Sequence, residues 1–246
     1  MRNLVGKISM ICLLVCLCAT SLFAQTKKVA LVSFYSDKKI GGTGLGTAME
    51  SLINDPNFNL KPLVDKSYDR FVNEFAKDFP FTLIDNSEIV SNQEYKNYKS
   101  TFLVDTAKTA NKLLGIQYVT AKDLIFAYGG VSLMSDDKKD QCNLAKIFSN
   151  ADAVLFVSMD YEFEPRAMGF AVGITAYLNM FMYDKKCDKI FRIRELGKSK
   201  GKVAAVGGIP VMNPKEIQPL CEDATEVLFA ELQGKLGKIV KKSAKF

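Results

Sequence analysis

The sequence contains no histidine. That absence removes Ser-His-Asp and Cys-His nucleophile pairs, histidine general bases and histidine-containing zinc sites together. Cysteine is sparse and carries no motif, since neither a CxxC redox pair nor a zinc-knuckle spacing occurs. No stretch rich in proline, glycine or serine divides the chain. No basic stripe runs along it either, so a nucleic-acid partner is not expected. What remains is an ordinary globular composition: 246 residues, 48% hydrophobic and 24% charged, with a mean hydropathy near zero. Such a chain can bury a substantial core and is too apolar for disorder.

Residues 1–24 read as a secretory signal peptide. Arg2 and Lys7 supply the positive end, Ile8 to Leu17 an apolar stretch, and Ser21-Leu22-Phe23-Ala24 a cleavage site before Gln25. The apolar run is too short to span a bilayer comfortably. Lipidation at Cys16 or Cys18 is the rival, but Val15 and Leu17 stand where a lipidation signal wants a small residue. Cleavage would leave 222 residues and lower the net charge from +6 to +4. It would also leave Cys142, Cys187 and Cys221, an odd number that allows at most one disulfide. The sequence does not say which of them pair, and small buried hydrophobes are the favoured reading.

The remaining chain alternates strand and helix, then turns to strands. Val29 to Tyr35 is a nearly continuous apolar run, as a central strand requires. Thr47–Ile53 could start a helix, which Pro56 would end. Leu63 to Phe79 has helical spacing and is closed by Pro80; Phe81 to Ile84 reads as a second strand. A helix is expected over Leu103 to Leu114, capped by Gly115, with a third strand beginning at Tyr118-Val119. After a polar stretch near 135–141, the one weak candidate for a domain boundary, Leu144 to Phe148 is a short helical pattern. Ala153 to Phe163 and Ala167 to Tyr183 read as strands, the second in a hairpin with Ile190–Arg194 across Asp184–Lys189. Val203–Val206 reads as one more strand. From Asn213 and Pro214, an apolar stripe of Ile217, Leu220, Ala224, Leu228, Leu232, Leu236 and Ile239 marks an amphipathic helix. Pro219 leaves its starting point open. The expected fold is a single α/β domain over 25–246. It has a mixed sheet with helices packed on it, antiparallel strands in the second half and a closing C-terminal helix.

Two groups of residues are candidate sites. Gly41, Gly42, Thr43, Gly44, Gly46 and Thr47 lie between a strand and a helix, where backbone amides can bind an anion. The run fits neither the dinucleotide fingerprint nor the P-loop, because Thr47 replaces the required glycine of one and lysine of the other. Asp160, Glu162 and Glu164 share one strand face, and three carboxylates there could hold Ca²⁺ or Mg²⁺ or act as an acid/base pair. A half-exposed strand face shows the same alternation. Asp136, Asp137 and Asp140 read as a solvated turn. The basic tail from Lys235 to Lys245 reads as a solvated helix end, suited to the helix dipole. Ala167 to Tyr183 is uncharged but reads as a core strand rather than a membrane span. No cofactor is expected.

Several segments together resemble exported envelope proteins built like the amino-terminal domain of TolB and the curli secretion lipoprotein CsgG. They are KKVALVSF (27–34), FTLID (81–85), the set Ala110, Leu113, Leu114, Gly115, Tyr118 and Val119, and ADAVLFVSMDY (151–161). The chain departs from that group in lacking a lipobox. The resemblance implies a non-enzymatic role in envelope assembly, secretion or cell-wall regulation through protein contacts, and carries over no site residues. The expectation is therefore an exported protein of the periplasm or cell envelope. Its partners would be envelope proteins, any membrane association would be peripheral, and homo-oligomerisation stays open. A periplasmic small-ligand or metal-binding protein is the alternative.

Overall fold

The computed structural model describes residues 26–41, 52–102, 117–130, 139–206, 209–210 and 213–244. The segment 1–24, the helix over Leu103 to Leu114, Gly42 to Thr47, Asp136 and Asp137 lie outside them. The fold is α/β, built on one mixed sheet of eight strands.

Strand β1 (Lys27–Asp37) is buried from Val29 to Tyr35, as its apolar run demands. One edge of β1 pairs in parallel with β4 (Ala153–Arg166), from Val29 opposite Ala153 to Ser36 opposite Met159. The other edge is shared by two short strands. β2 (Phe81–Leu83) pairs in parallel at the start of β1, and β3 (Tyr118–Thr120) antiparallel at its end. The antiparallel course of β3 makes the sheet mixed already in its first half. Between the two, Tyr95 takes the place of a strand. Its hydroxyl donates to the Val32 carbonyl at 2.7 Å and accepts from the Ile125 amide at 3.0 Å.

The second half is antiparallel. β4 pairs along its whole length with β5 (Ala171–Asp184), and β5 pairs with β6 (Lys189–Lys198), the expected hairpin. Beyond β6 on the same edge, Ala171 and Val172 pair with β7 (Val203–Val206), which turns back into β8 (Ile209–Pro210). Strand β4 runs three residues past the expected Phe163, and β5 begins at Ala171 because residues 167–169 make the turn.

Helices cover the sheet unequally. The segment from Leu63 to Phe79 is helical in three windings: α1 (Lys61–Arg70), a π turn (Phe71–Phe75) and a 3₁₀ turn (Ala76–Asp78). The changes of pitch keep Phe71, Phe75 and Phe79 all buried. Two short helices that the sequence reading passed over follow. They are α2 (Asn86–Ser91), capped by Asp85, and α3 (Gln93–Asn97), capped by Asn92. α4 (Lys139–Ile147) precedes β4. The last helix, α5 (Pro214–Ser243), begins at the Asn213 cap and carries Pro219 without interruption.

α5 packs on the sheet face that bears Tyr161, whose hydroxyl lies 2.9 Å from that of Thr225. α1 sits beside it, with Arg70 4.4 Å from the Phe229 ring centroid. On the opposite face, among the described residues, the cover is the segment 124–130 and α4. Toward the far ends of β4, β5 and β6 that face carries exposed Glu162, Arg194, Leu196 and Lys198.

Candidate functional site

Of the glycine run only Gly41 is among the described residues, and it meets the acidic group on β4. Gly41 donates its amide to the Tyr161 carbonyl at 2.6 Å and accepts from the Phe163 amide at 2.9 Å, extending the strand edge past the end of β1. A Cβ on Gly41 would stand 3.0 Å from Cγ of Glu162, so a glycine suits this seat. The first residue of the glycine run is thus fixed against the middle of the acidic face.

Asp160, Glu162 and Glu164 do share a face, but their surroundings differ. Glu164 is gripped by Lys198 and by Arg166 at 3.0 Å, and the Lys198 bond holds its carboxyl below the usual range. Glu162 lies 3.9 Å from Arg194, whose guanidinium is stacked 4.1 Å from the Tyr177 ring centroid. These pairs form a solvated ladder of alternating charge, of the kind that contributes little stability per pair.

Asp160 is different. It accepts from Asn179 Nδ2 at 2.8 Å, while Ser158 Oγ stands 3.5 Å away, too far for a strong bond. Burial, and then the charge of neighbouring Asp37, push its carboxyl up to about 6. Burial raises Asp37 as well. An aromatic wall stands beside this acid pair. Tyr35 packs on Phe126 at 4.6 Å, Phe126 stacks on Tyr118 at 4.4 Å, and Phe102 stacks on Tyr128 at 4.7 Å. Burial lifts the Tyr35 and Tyr128 hydroxyls above the usual phenol value, so both remain protonated donors. The arrangement can hold or release a proton near neutrality and offer hydrogen bonds. Among the described residues no group of three or more acidic or cysteine side chains is placed to hold a metal ion.

Asp140 corrects the sequence reading. It is not part of a solvated turn but 3% exposed, and its carboxylate gathers a set of donors. These are the Tyr98 hydroxyl at 2.7 Å, the Thr101 amide and hydroxyl at 2.7 and 2.8 Å, the Tyr128 amide at 3.2 Å and the Ser100 hydroxyl. It ties the chain after α3 and the segment 124–130 to the start of α4. The apolar spacing of Leu144 to Phe148 marks the helix but not this role for its first turn.

The cysteines also sort themselves. Cys142 of α4 and Cys187 of the β5–β6 turn form a disulfide, with Cα atoms 5.1 Å apart and a sequence separation of 45. Cys221 is a buried free thiol on α5, and burial pushes it far above the ordinary thiol value. The buried-hydrophobe reading therefore holds for Cys221 alone. In the basic tail, Lys235 reaches back to Glu195 at 2.9 Å.

No family model matches the sequence. No curated protein matches it either. Among solved structures, the hypothetical protein CT253 from Chlamydia trachomatis is similar at 9% identity and a TM-score of 0.37. That alignment covers 86% of this chain and 98% of the other.

Proposed function

We propose that this is an exported, non-enzymatic protein of the cell envelope that works by binding other proteins through the sheet face opposite α5. The observation that carries this reading is the contrast between the two faces. α5 and α1 pack on one, while among the described residues the other presents exposed Glu162, Arg194, Leu196 and Lys198 around half-buried Tyr177. A stacked arginine–tyrosine pair beside an exposed leucine has the composition of a protein-binding patch, where Tyr and Arg are enriched. The Cys142–Cys187 disulfide supports an oxidising compartment, and with it the export read from residues 1–24. The weak resemblance to envelope assembly proteins points the same way. A photoreactive residue in place of Tyr177 tests it in intact cells. Capture of one reproducible envelope protein is the expected result; capture of nothing, or of this chain alone, overturns it.

A second reading rests on Asp160, whose raised carboxyl beside Asp37 and an aromatic wall suits a small polar ligand. Calorimetry with Ca²⁺, nucleotides and phosphate tests it, and flat traces would remove it.

A further inference from the structure

Exposed large apolar side chains scattered singly over a surface need no explanation, but a cluster of them does. Four gather here at one end of the sheet. Met168 is 99% exposed and Phe170 76% exposed at the β4–β5 turn; Val206 is 83% and Ile209 42% exposed on β7 and β8. The two hairpin ends stand side by side. Ala171 pairs with Ala204, the Ala205 amide donates to the Phe170 carbonyl at 3.0 Å, and Val206 pairs with Ile209.

The β4–β5 turn is built at a cost. Ala167, Met168 and Gly169 adopt φ values of 48°, 55° and 91°, three left-handed residues in succession, two of them not glycine. The strained turn holds a methionine almost wholly in water. Beside it the chain is stiffened by Arg166, which donates to the Ser199 carbonyl at 2.6 Å and to Glu164 at 3.0 Å. Gly173 makes room for that guanidinium, since a Cβ there would stand 2.6 Å from Arg166 Cζ. The loop that Arg166 pins carries Lys200 and Lys202, both exposed, and no carboxylate among the described residues forms an ion pair with either.

We propose that these paired hairpin tips dock on an anionic lipid bilayer. Met168, Phe170, Val206 and Ile209 enter the boundary between headgroups and acyl chains, and Lys200 and Lys202 meet the lipid phosphates. Apolar tips flanked by unpaired cations are the chemistry of an interfacial anchor. Strand pairing close to the turns limits the backbone groups left to be desolvated. A second copy of this chain fits less well. Four side chains at two turns fall far short of the roughly 800 Å² per partner that a stable interface buries.

The chain contains no tryptophan, so Phe170→Trp introduces a single indole at the tip. The full-length variant is mixed with vesicles of phosphatidylcholine alone, or with added phosphatidylglycerol, and with lipids brominated in the acyl chain. The expected result is a blue shift and bromine quenching only on the anionic vesicles, weakened by salt. In that background Lys200→Gln and Lys202→Gln should each weaken partitioning about fivefold. Met168→Ser should weaken it more than about tenfold. Two results overturn the proposal. One is an indole that stays in water while the protein sediments with vesicles, which places the attachment elsewhere. The other is a blue shift that rises with protein concentration in the absence of lipid, which assigns the tips to a second copy.

Discussion

Gly197 of β6 lies against the backbone of Leu228 in α5. A Cβ at position 197 would stand 2.1 Å from the Leu228 nitrogen and 2.7 Å from the Ala224 carbonyl oxygen. The closing helix therefore touches the sheet backbone to backbone at this point, and no side chain can be inserted without moving one of them. Gly197→Ala should destabilise the protein by about 3 kcal/mol, read as a lower urea midpoint. Gly234 and Gly237 lie in the same helix with nothing within 4 Å of an added Cβ. Replacing either by alanine should instead raise stability by about 0.5–1 kcal/mol. A loss at all three positions would refute the close-approach account.

Asp140 accepts from several donors while almost fully buried. Asp140→Ala leaves those donors without an acceptor and should cost more than about 2 kcal/mol. Hydrogen exchange at the Thr101 and Tyr128 amides should rise with it. If both amides stay as protected as in the parent, the carboxylate is not what orders them.

Asp160 gives the fold a dependence on pH with a definite sign. Its carboxyl is raised from an ordinary 3.8 to about 6, so the native state holds that proton more tightly than the unfolded chain. Its contribution is most favourable below about 4 and falls as pH rises through about 6. Asp160→Asn keeps a group able to accept from Asn179 and carries no charge. It should stabilise the protein at neutral pH by on the order of 2–3 kcal/mol and leave stability in acid unchanged. Glu164, lowered by Lys198, contributes with the opposite sign. The difference between parent and variant melting curves across pH is therefore the measurement, and a flat difference would count against it.

The Cys142–Cys187 bond closes a long loop between α4 and the β5–β6 turn. Cys142→Ser with Cys187→Ser should lower stability by about 2–4 kcal/mol. With residues 1–24 removed, native protein should show no reactive thiol toward a chromogenic disulfide, because Cys221 is fully buried. One thiol of the parent should appear on denaturation without reductant if residues 1–24 have been removed. A fast-reacting thiol in the native state would contradict the assigned pairing.

How legible this was depended on the range of the interactions. Strands β1 and β5 could be read directly, because a central strand must be apolar and an alternating one must split its residues between faces. The C-terminal helix was equally plain, and Asn213 caps it at 3.1 Å from the Lys215 amide. Asp140 was not legible. Its burial depends on Tyr98, Ser100, Thr101 and Tyr128 arriving from other parts of the chain, which local polarity does not encode. The antiparallel course of β3 is not legible for the same reason, since pairing direction is a tertiary choice. At the candidate site, the shared face of Asp160, Glu162 and Glu164 followed from the strand period. Glu162 and Glu164 are neutralised by Arg194, Lys198 and Arg166, whereas Asp160 is buried beside Asp37; this division required the neighbouring strands. Gly41 reaches Glu162 because it follows β1 along the edge of β4, a parallel pairing that local sequence does not encode.

The position of β1 has a consequence for how the chain comes into being. At the edge of its pairing with β4, the Lys28 amide binds the Asp152 carboxylate, a partner 124 residues further along. During synthesis from the amino terminus, the apolar strand emerges long before that partner exists. The β4–β5–β6 meander can close on itself, but β1 must wait exposed. Such a strand is open to pairing with another copy of itself, so the yield of folded protein should be set by what shelters its first strand until β4 is made.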